Sequence, residues 1–335
     1  MFNTLMGRYG GVAGVGSGIK YFKFVLLGGD GGATNYNGVG GRGGGGLTEY
    51  IISTETMTGE IILEARSVVG GDGSNPTGGH GGTGYFLTTS VGLPNGPGTG
   101  TWAGGPDSLP LKPSVIAAVG GGGGEGRADD LNNVANNINP SIPFTNFGPI
   151  GAGGGTNGGA AMPGTVPTNY GGYGTQTYGG QGTPSPHLSG NSGSGDFLLG
   201  GYGNQFGYGG GNHAGGGGGG YYGGGGGKAS EGPNPGRYGG GGGGASGHVQ
   251  SSYPQYYSGF TTKAGKSKYI NLQPLYPGAA AGGSGGVFLT SAPLEEITAN
   301  TVTYTQILAG PSNYLTADNQ LQQITLKSDG TFTQD

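Results

Sequence analysis

Apolar positions in this chain gather into short clusters set between long glycine stretches. Lys20 to Leu27 is an aromatic and β-branched run and predicts a strand. Thr48 to Thr56 and Glu60 to Val69 predict two more strands, joined as a hairpin through Met57-Thr58-Gly59. Tyr85 to Ser90 is a short strand-like piece, and Ser114 to Val119 runs directly into Gly120 to Gly124. Near the end, Ile297 to Leu308 alternates like a strand, and Ile324 to Phe332 predicts a hairpin about Ser328-Asp329-Gly330. Helical patterning is almost absent. Asp129 to Ile138 would make a turn or two at most, since its asparagines are poor helix formers.

Composition changes this picture. Of 335 residues, 91 are glycine and 20 proline, and only 9% are charged. A conventional close-packed core for a chain this long is not expected. Aromatics reach 10% and the formal net charge is −4, so the chain lacks the charge that usually keeps disordered segments solvated. With 13 Lys and Arg in all, nucleic acid is not an expected partner. There is no cysteine, hence no disulfide or thiolate metal site. No run approaches ~20 apolar residues, so membrane insertion is not expected. Met1 to Arg8 lacks the pattern of a signal peptide, which suits delivery inside a particle.

A glycine block carries backbone donors and acceptors and nothing else, and these need partners. Collagen requires a strict Gly-X-Y period, which Gly239 to Gly244 does not have. A solvated coil is one remaining solution. The other is polyglycine II, an extended threefold helix with ~3.1 Å rise per residue and no internal hydrogen bonds. Its groups point outward and bond to neighbouring segments. The expected fold class is therefore mainly β and irregular: a polyglycine-II helix bundle with short antiparallel β-strands and little or no α-helix. Residues 1–18 form an attachment segment, 19–119 a strand-plus-glycine scaffold, 120–289 the bundle with its display loops, and 290–335 a C-terminal β segment.

Candidate chemistry is sparse. Gly259 to Ser267 is one residue too long for a phosphate-binding loop. Gly28-Gly29-Asp30-Gly31 and Gly70-Gly71-Asp72-Gly73 do not recur at calcium-repeat spacing and read as ordinary turns. His80, His187, His213 and His248 lack ligand spacing, and the pairs Asp129-Asp130 and Glu295-Glu296 suit a solvated face. No enzyme activity, metal or cofactor is expected. Tyrosine offers rigid contact area with a polar tip, which favours it in binding loops. Trp102, Tyr170, Tyr173, Tyr178, Tyr253, Tyr256 and Tyr257 lie in inserts between or after glycine blocks and are the candidate receptor contacts. Tyr221, Tyr222 and Tyr238 are embedded in glycine and are expected to seal the bundle. Gly215, Gly220, Gly223, Gly227, Gly239 and Gly244 bound the blocks expected to build it.

The sequence resembles the glycine-rich domains of phage tail proteins, a type also found in the extracellular part of the anaplastic lymphoma kinase receptor. The matching elements are Tyr21 to Gly29, Gly43 to Tyr50, Ile61 to Ala65, Ala117 to Gly122, and Gly215 to Gly227 around Tyr221-Tyr222, with Gly239 to Gly247 after them. It is also similar to T-even-type adhesins at the tip of the long tail fibre. The resemblance implies a virion structural protein, extracellular, in a tail fibre or tail tip. Its implied partners are other phage tail proteins or copies of itself, and a host surface glycan or outer-membrane protein. A self-assembling extracellular matrix or filament protein is the alternative.

Overall fold

The computed structural model describes residues 18–32, 43–73, 79–89, 91, 114–124, 153–155, 157–158, 171–182, 194–201, 203, 214–227, 229–230, 238–239, 242–250, 285–310 and 320–335. The described residues are mostly β-sheet, in two large antiparallel sheets and a small ribbon, with almost no helix among them. The first sheet has the order β10-β9-β1-β2. Its strands are β1 (Tyr21–Leu27), β2 (Leu47–Ser53), β9 (Gly286–Ala292) and β10 (Thr305–Ala309). The second has the order β12-β11-β3-β4-β5-β8. Its strands are β3 (Ile61–Val68), β4 (Gly84–Thr88), β5 (Val115–Val119), β8 (His248–Val249), β11 (Leu321–Leu326) and β12 (Phe332–Gln334).

Alternation along the strands decides what faces what. Phe22, Phe24 and Leu26 of β1 and Tyr50 and Ile52 of β2 turn inward. They meet Leu63, Ala65, Tyr85, Leu87 and Ile324 of the second sheet in one side-chain core. Such a core is more conventional than the composition predicts, and it is possible because the strands gather the bulky residues at one end. On the other face of the first sheet, Tyr21, Ile51 and Ala292 pack under Ile297 and Val302. The short helix α1 (Leu294–Ala299) supplies that cover.

Two sequence expectations are corrected here. The Met57-Thr58-Gly59 link is not a hairpin: β2 pairs with β1, and β3 pairs with β4 and β11. A 3-10 turn at Thr54–Thr56, capped by the Ser53 side chain, carries the chain from one sheet to the other. The strand expected over 297–308 begins only at Thr305. Asn300, in the left-handed region at φ 56°, ends α1 before it. The hairpin about Ser328-Asp329-Gly330 forms as expected, between β11 and β12.

The six glycine stretches that adjoin β1, β2, β3, β4, β5 and β8 all leave the sandwich at the same end. β1 and β3 run into 28–32 and 69–73, and β5 runs into 120–124. β2, β4 and β8 are entered from 43–46, 79–83 and 242–247. The sandwich therefore continues into a body of extended, side-chain-poor chain. The opposite pole carries the 54–60 link, α1 and the 327–331 turn.

Candidate functional site

The extended segments bond to one another, not within themselves. Segment 214–220 is the clearest case. Gly216 and Gly219 donate to Gly79 and Gly82, and Gly217 and Gly218 donate to Gly201 and Gly243. Its carbonyls accept from Gly71 at Gly217, from Gly124 and Gly121 at Gly216 and Gly219, and from Gly227 and Gly224 at Gly215 and Gly218. Its bonds thus reach segments 70–73, 79–83, 120–124, 200–203, 223–227 and 242–247 on all sides. Partners recur every third residue: 216 and 219 share one donor–acceptor neighbour, and 79 and 82 are likewise three apart. The same step appears where Gly28 and Gly31 donate to Gly46 and Gly43, and where Gly29 and Gly32 donate to Thr83 and His80.

Glycine is required here by space, not by backbone angle. Among the described residues, positive φ is confined to Gly154, Gly155, Gly285, Gly286 and Gly330, together with Leu198 and Asn300. A methyl carbon at Gly217 would stand 1.9 Å from the Gly224 oxygen, at Gly215 2.1 Å from the Gly124 oxygen, and at Gly223 1.7 Å from the Leu199 oxygen. No side chain fits between segments this close.

Aspartate enters the array twice, and the two Gly-Gly-Asp-Gly runs are extended segments, not the ordinary turns expected. Asp30 is fully buried, and its Oδ1 accepts from the Gly45 amide at 2.7 Å, serving as a carbonyl would. Asp72 lies 3.4 Å from Nδ1 of His80. The hydrogen bond from His80 holds its carboxyl below the usual range.

Where the array meets the second sheet, aromatics seal it. Tyr221 and Tyr222 are buried with Val68, Phe86 and Ala118, and they meet edge-on with Phe197. Tyr221 also stacks on His248 at 4.0 Å. Burial, with Tyr222 adding to it, pushes the Tyr221 hydroxyl up to about 12. Phe197 is placed by a tight turn, Asp196 to Leu199, in which Leu198 takes the left-handed conformation at φ 56°.

The hairpin 171–182 lies on the flank. Thr175 accepts through Oγ1 from the Thr177 and Tyr178 amides, which shapes its turn. Gln176 Nε2 donates to Gly247 at 2.6 Å and its Oε1 meets His248 Nδ1 at 3.0 Å, while Ser246 Oγ donates to Thr175. The turn is thus tied to the start of β8. Tyr178 is 60% exposed and Tyr173 40% exposed.

The candidate site residues fall into four groups. Gly215, Gly220, Tyr221, Tyr222, Gly223, Gly227 and Gly244 lie in the array or at its seal. Gly239 lies in β7 (Tyr238–Gly239), which pairs with β6 (Ala229–Ser230) in a small ribbon. Tyr173 and Tyr178 share the flank hairpin. Trp102, Tyr170, Tyr253, Tyr256 and Tyr257 lie outside the described residues, as do His187, His213, Asp129 to Ile138 and Gly259 to Ser267. Sequence reasoning missed Phe197, Ser246 and Gln176, three isolated residues whose roles depend on partners 24 to 72 positions away.

At the pole far from the sandwich, the described segments end in pairs. Residues 32 and 43, 73 and 79, 182 and 194, 203 and 214, and 227 and 242 flank the connections there, and Gly124 leads into another. Among the described residues, no group of His, Asp and Glu is arranged to hold a metal, and no helix is long and apolar enough to cross a membrane.

These features define a two-part β protein, a sandwich with a side-chain core continued by an array whose interior is backbone. Comparisons with protein-family models, curated proteins and solved structures return no match.

Proposed function

We propose that the array is a polyglycine-II bundle, that it presents the connections at its far pole to a host receptor, and that the protein is a virion component of a phage tail fibre or tail tip. The observation that carries this reading is the three-residue recurrence of bonds around segment 214–220, with neighbours on all sides. A threefold extended helix directs successive groups about 120° apart, so every third residue returns to the same neighbour. Such packing supports a rigid body without bulky side chains, and it leaves the connections as the place where sequence can vary freely.

The polarity of the molecule supports display. The chain enters β1 through Gly18 to Lys20 at the sandwich pole, opposite the loop-bearing end. Residues 1–18 serve attachment to other tail proteins or to further copies. The receptor is a surface glycan or outer-membrane protein, contacted by aromatic and polar residues of the connections. Purified protein should adsorb to host cells and compete with infection, and immunogold labelling should mark the tail of intact particles. Labelling elsewhere, with no adsorption, overturns the proposal.

A further inference from the structure

We infer that the hairpin 171–182 is the lateral edge of the glycine array, and that Tyr173 and Gln181 are stops that keep a second copy of the chain from adding to it. The inner side of the hairpin is part of the array. A methyl carbon at Gly171 would lie 1.9 Å from the Gly225 oxygen, at Gly174 2.0 Å from the Tyr222 oxygen, and at Gly180 2.0 Å from the Gly172 oxygen. Gly174 and Gly180 donate inward to Gly244 and Gly223, and Gly172 donates across the hairpin to Gln181.

The outer side is different. Tyr173 and Gln181 are exposed, whereas Gly179, where a methyl carbon would lie 1.9 Å from the Gly195 oxygen, packs against 194–196. Among the described residues, no partner meets the amide or carbonyl of Tyr173 or the amide of Gln181. Unpaired backbone groups along an exposed edge are a template on which another chain can pair. The surface they match is a side-chain-free segment with the same spacing, which this chain itself supplies, so the fitting occupant is a second copy.

What prevents addition is the spacing already described. Neighbouring segments approach until a Cβ would sit about 2 Å from a carbonyl oxygen, as at Gly180. Any residue larger than glycine on the contact side holds the newcomer off. Tyr173 and Gln181 stand on the only two strands of this hairpin, one on each. Their side chains act as the charged or bulged residues of ordinary sheet edges do.

The test is the full chain carrying Tyr173→Gly with Gln181→Gly, compared with Tyr173→Ala with Gln181→Ala. Analytical ultracentrifugation over a concentration series should show the glycine pair shifting to species of at least twice the wild-type mass. The alanine pair, which retains a Cβ, should sediment as wild type does. A glycine pair that sediments as wild type overturns the inference, and so does an alanine pair that associates equally. Amide exchange on the wild-type protein decides the matter independently of whether the variants fold. Tyr173 and Gln181 should exchange while Gly172, Gly174 and Gly180 stay protected; protection of Tyr173 and Gln181 overturns it.

Discussion

Gly217 and Gly59 are the same residue in opposite surroundings. A methyl carbon at Gly217 meets a carbonyl oxygen at 1.9 Å, whereas one at Gly59 meets nothing within 4 Å. Gly217→Ala should lower unfolding stability by about 3 kcal/mol or more, at or beyond the usual range for overpacking. Gly59→Ala should change it by under ~0.5 kcal/mol, as surface substitutions do. Denaturant titration of the two variants checks both. Asp30 gives a second case. Asp30→Ala removes the acceptor of the Gly45 amide and should cost ~1–3 kcal/mol for a buried donor left unsatisfied. Asp30→Asn keeps an acceptor there and should retain most of that stability. The glycine runs were readable in sequence as sites where backbones meet. The aspartates were not, because Gly-Asp-Gly carries the composition of a turn, and only the neighbouring segment reveals that a carboxylate stands in for a carbonyl.

At the scale of elements, β1 to β5 were readable to within one to three residues, since dense β-branched and aromatic runs have few alternatives; the largest miss is the end of β2, read to Thr56 where the strand stops at Ser53. Their pairing was not. β2 and β3 are adjacent in sequence and separated by a glycine-containing link, yet a three-residue 3-10 turn sends them to different sheets. β9 was missed because Val287 to Ala292 is short and follows glycine-rich sequence. α1 was misread because Ile297 and Val302, which cover Tyr21 and Ile51, also fit an alternating pattern.

The elements predict alkaline sensitivity. Lys23 lies 2.7 Å from Glu49 beneath Tyr304. Burial pulls its pKa down, but Glu49 and Tyr304 outweigh that and hold it above 10.5. A raised lysine pKa gives stability that is complete below the unfolded value and lost as pH rises through the folded one. Tyr221 behaves likewise: its neutral form is favoured from its ordinary value of 10.0 up to about 12. Stability should therefore fall above about pH 10, first through Tyr221 and then through Lys23, and Lys23→Met with Tyr221→Phe should flatten that fall. Tyrosinate absorbance should show Tyr221 ionising last or only on unfolding.

For the whole molecule, sequence conveyed that the body is built on glycine, but not that a side-chain sandwich anchors it, nor that the two have distinct poles. Those properties depend on contacts between segments far apart in the chain. The predicted consequence is a separation of duties. Replacing residues 204–213 by a Gly-Ser linker of equal length should leave the melting temperature within a few degrees, because loop length and composition alter stability little. The same replacement should change adsorption to host cells, measured with purified protein. A large loss of melting temperature would assign that segment to the scaffold instead.

The array also alters what a protease can recognise. Digestive enzymes read the side chain beside the scissile bond, and the extended segments offer them none. Arg42, Lys112, Arg127, Lys228, Arg237 and the lysines at 263, 266 and 268 all lie between glycine segments. Trypsin is left only those joints, Arg8, and the sandwich lysines and arginines. A molecule cut at the joints would still be held together by the mesh of backbone hydrogen bonds linking one segment to the next. Digestion would then leave a chain that is nicked but still assembled.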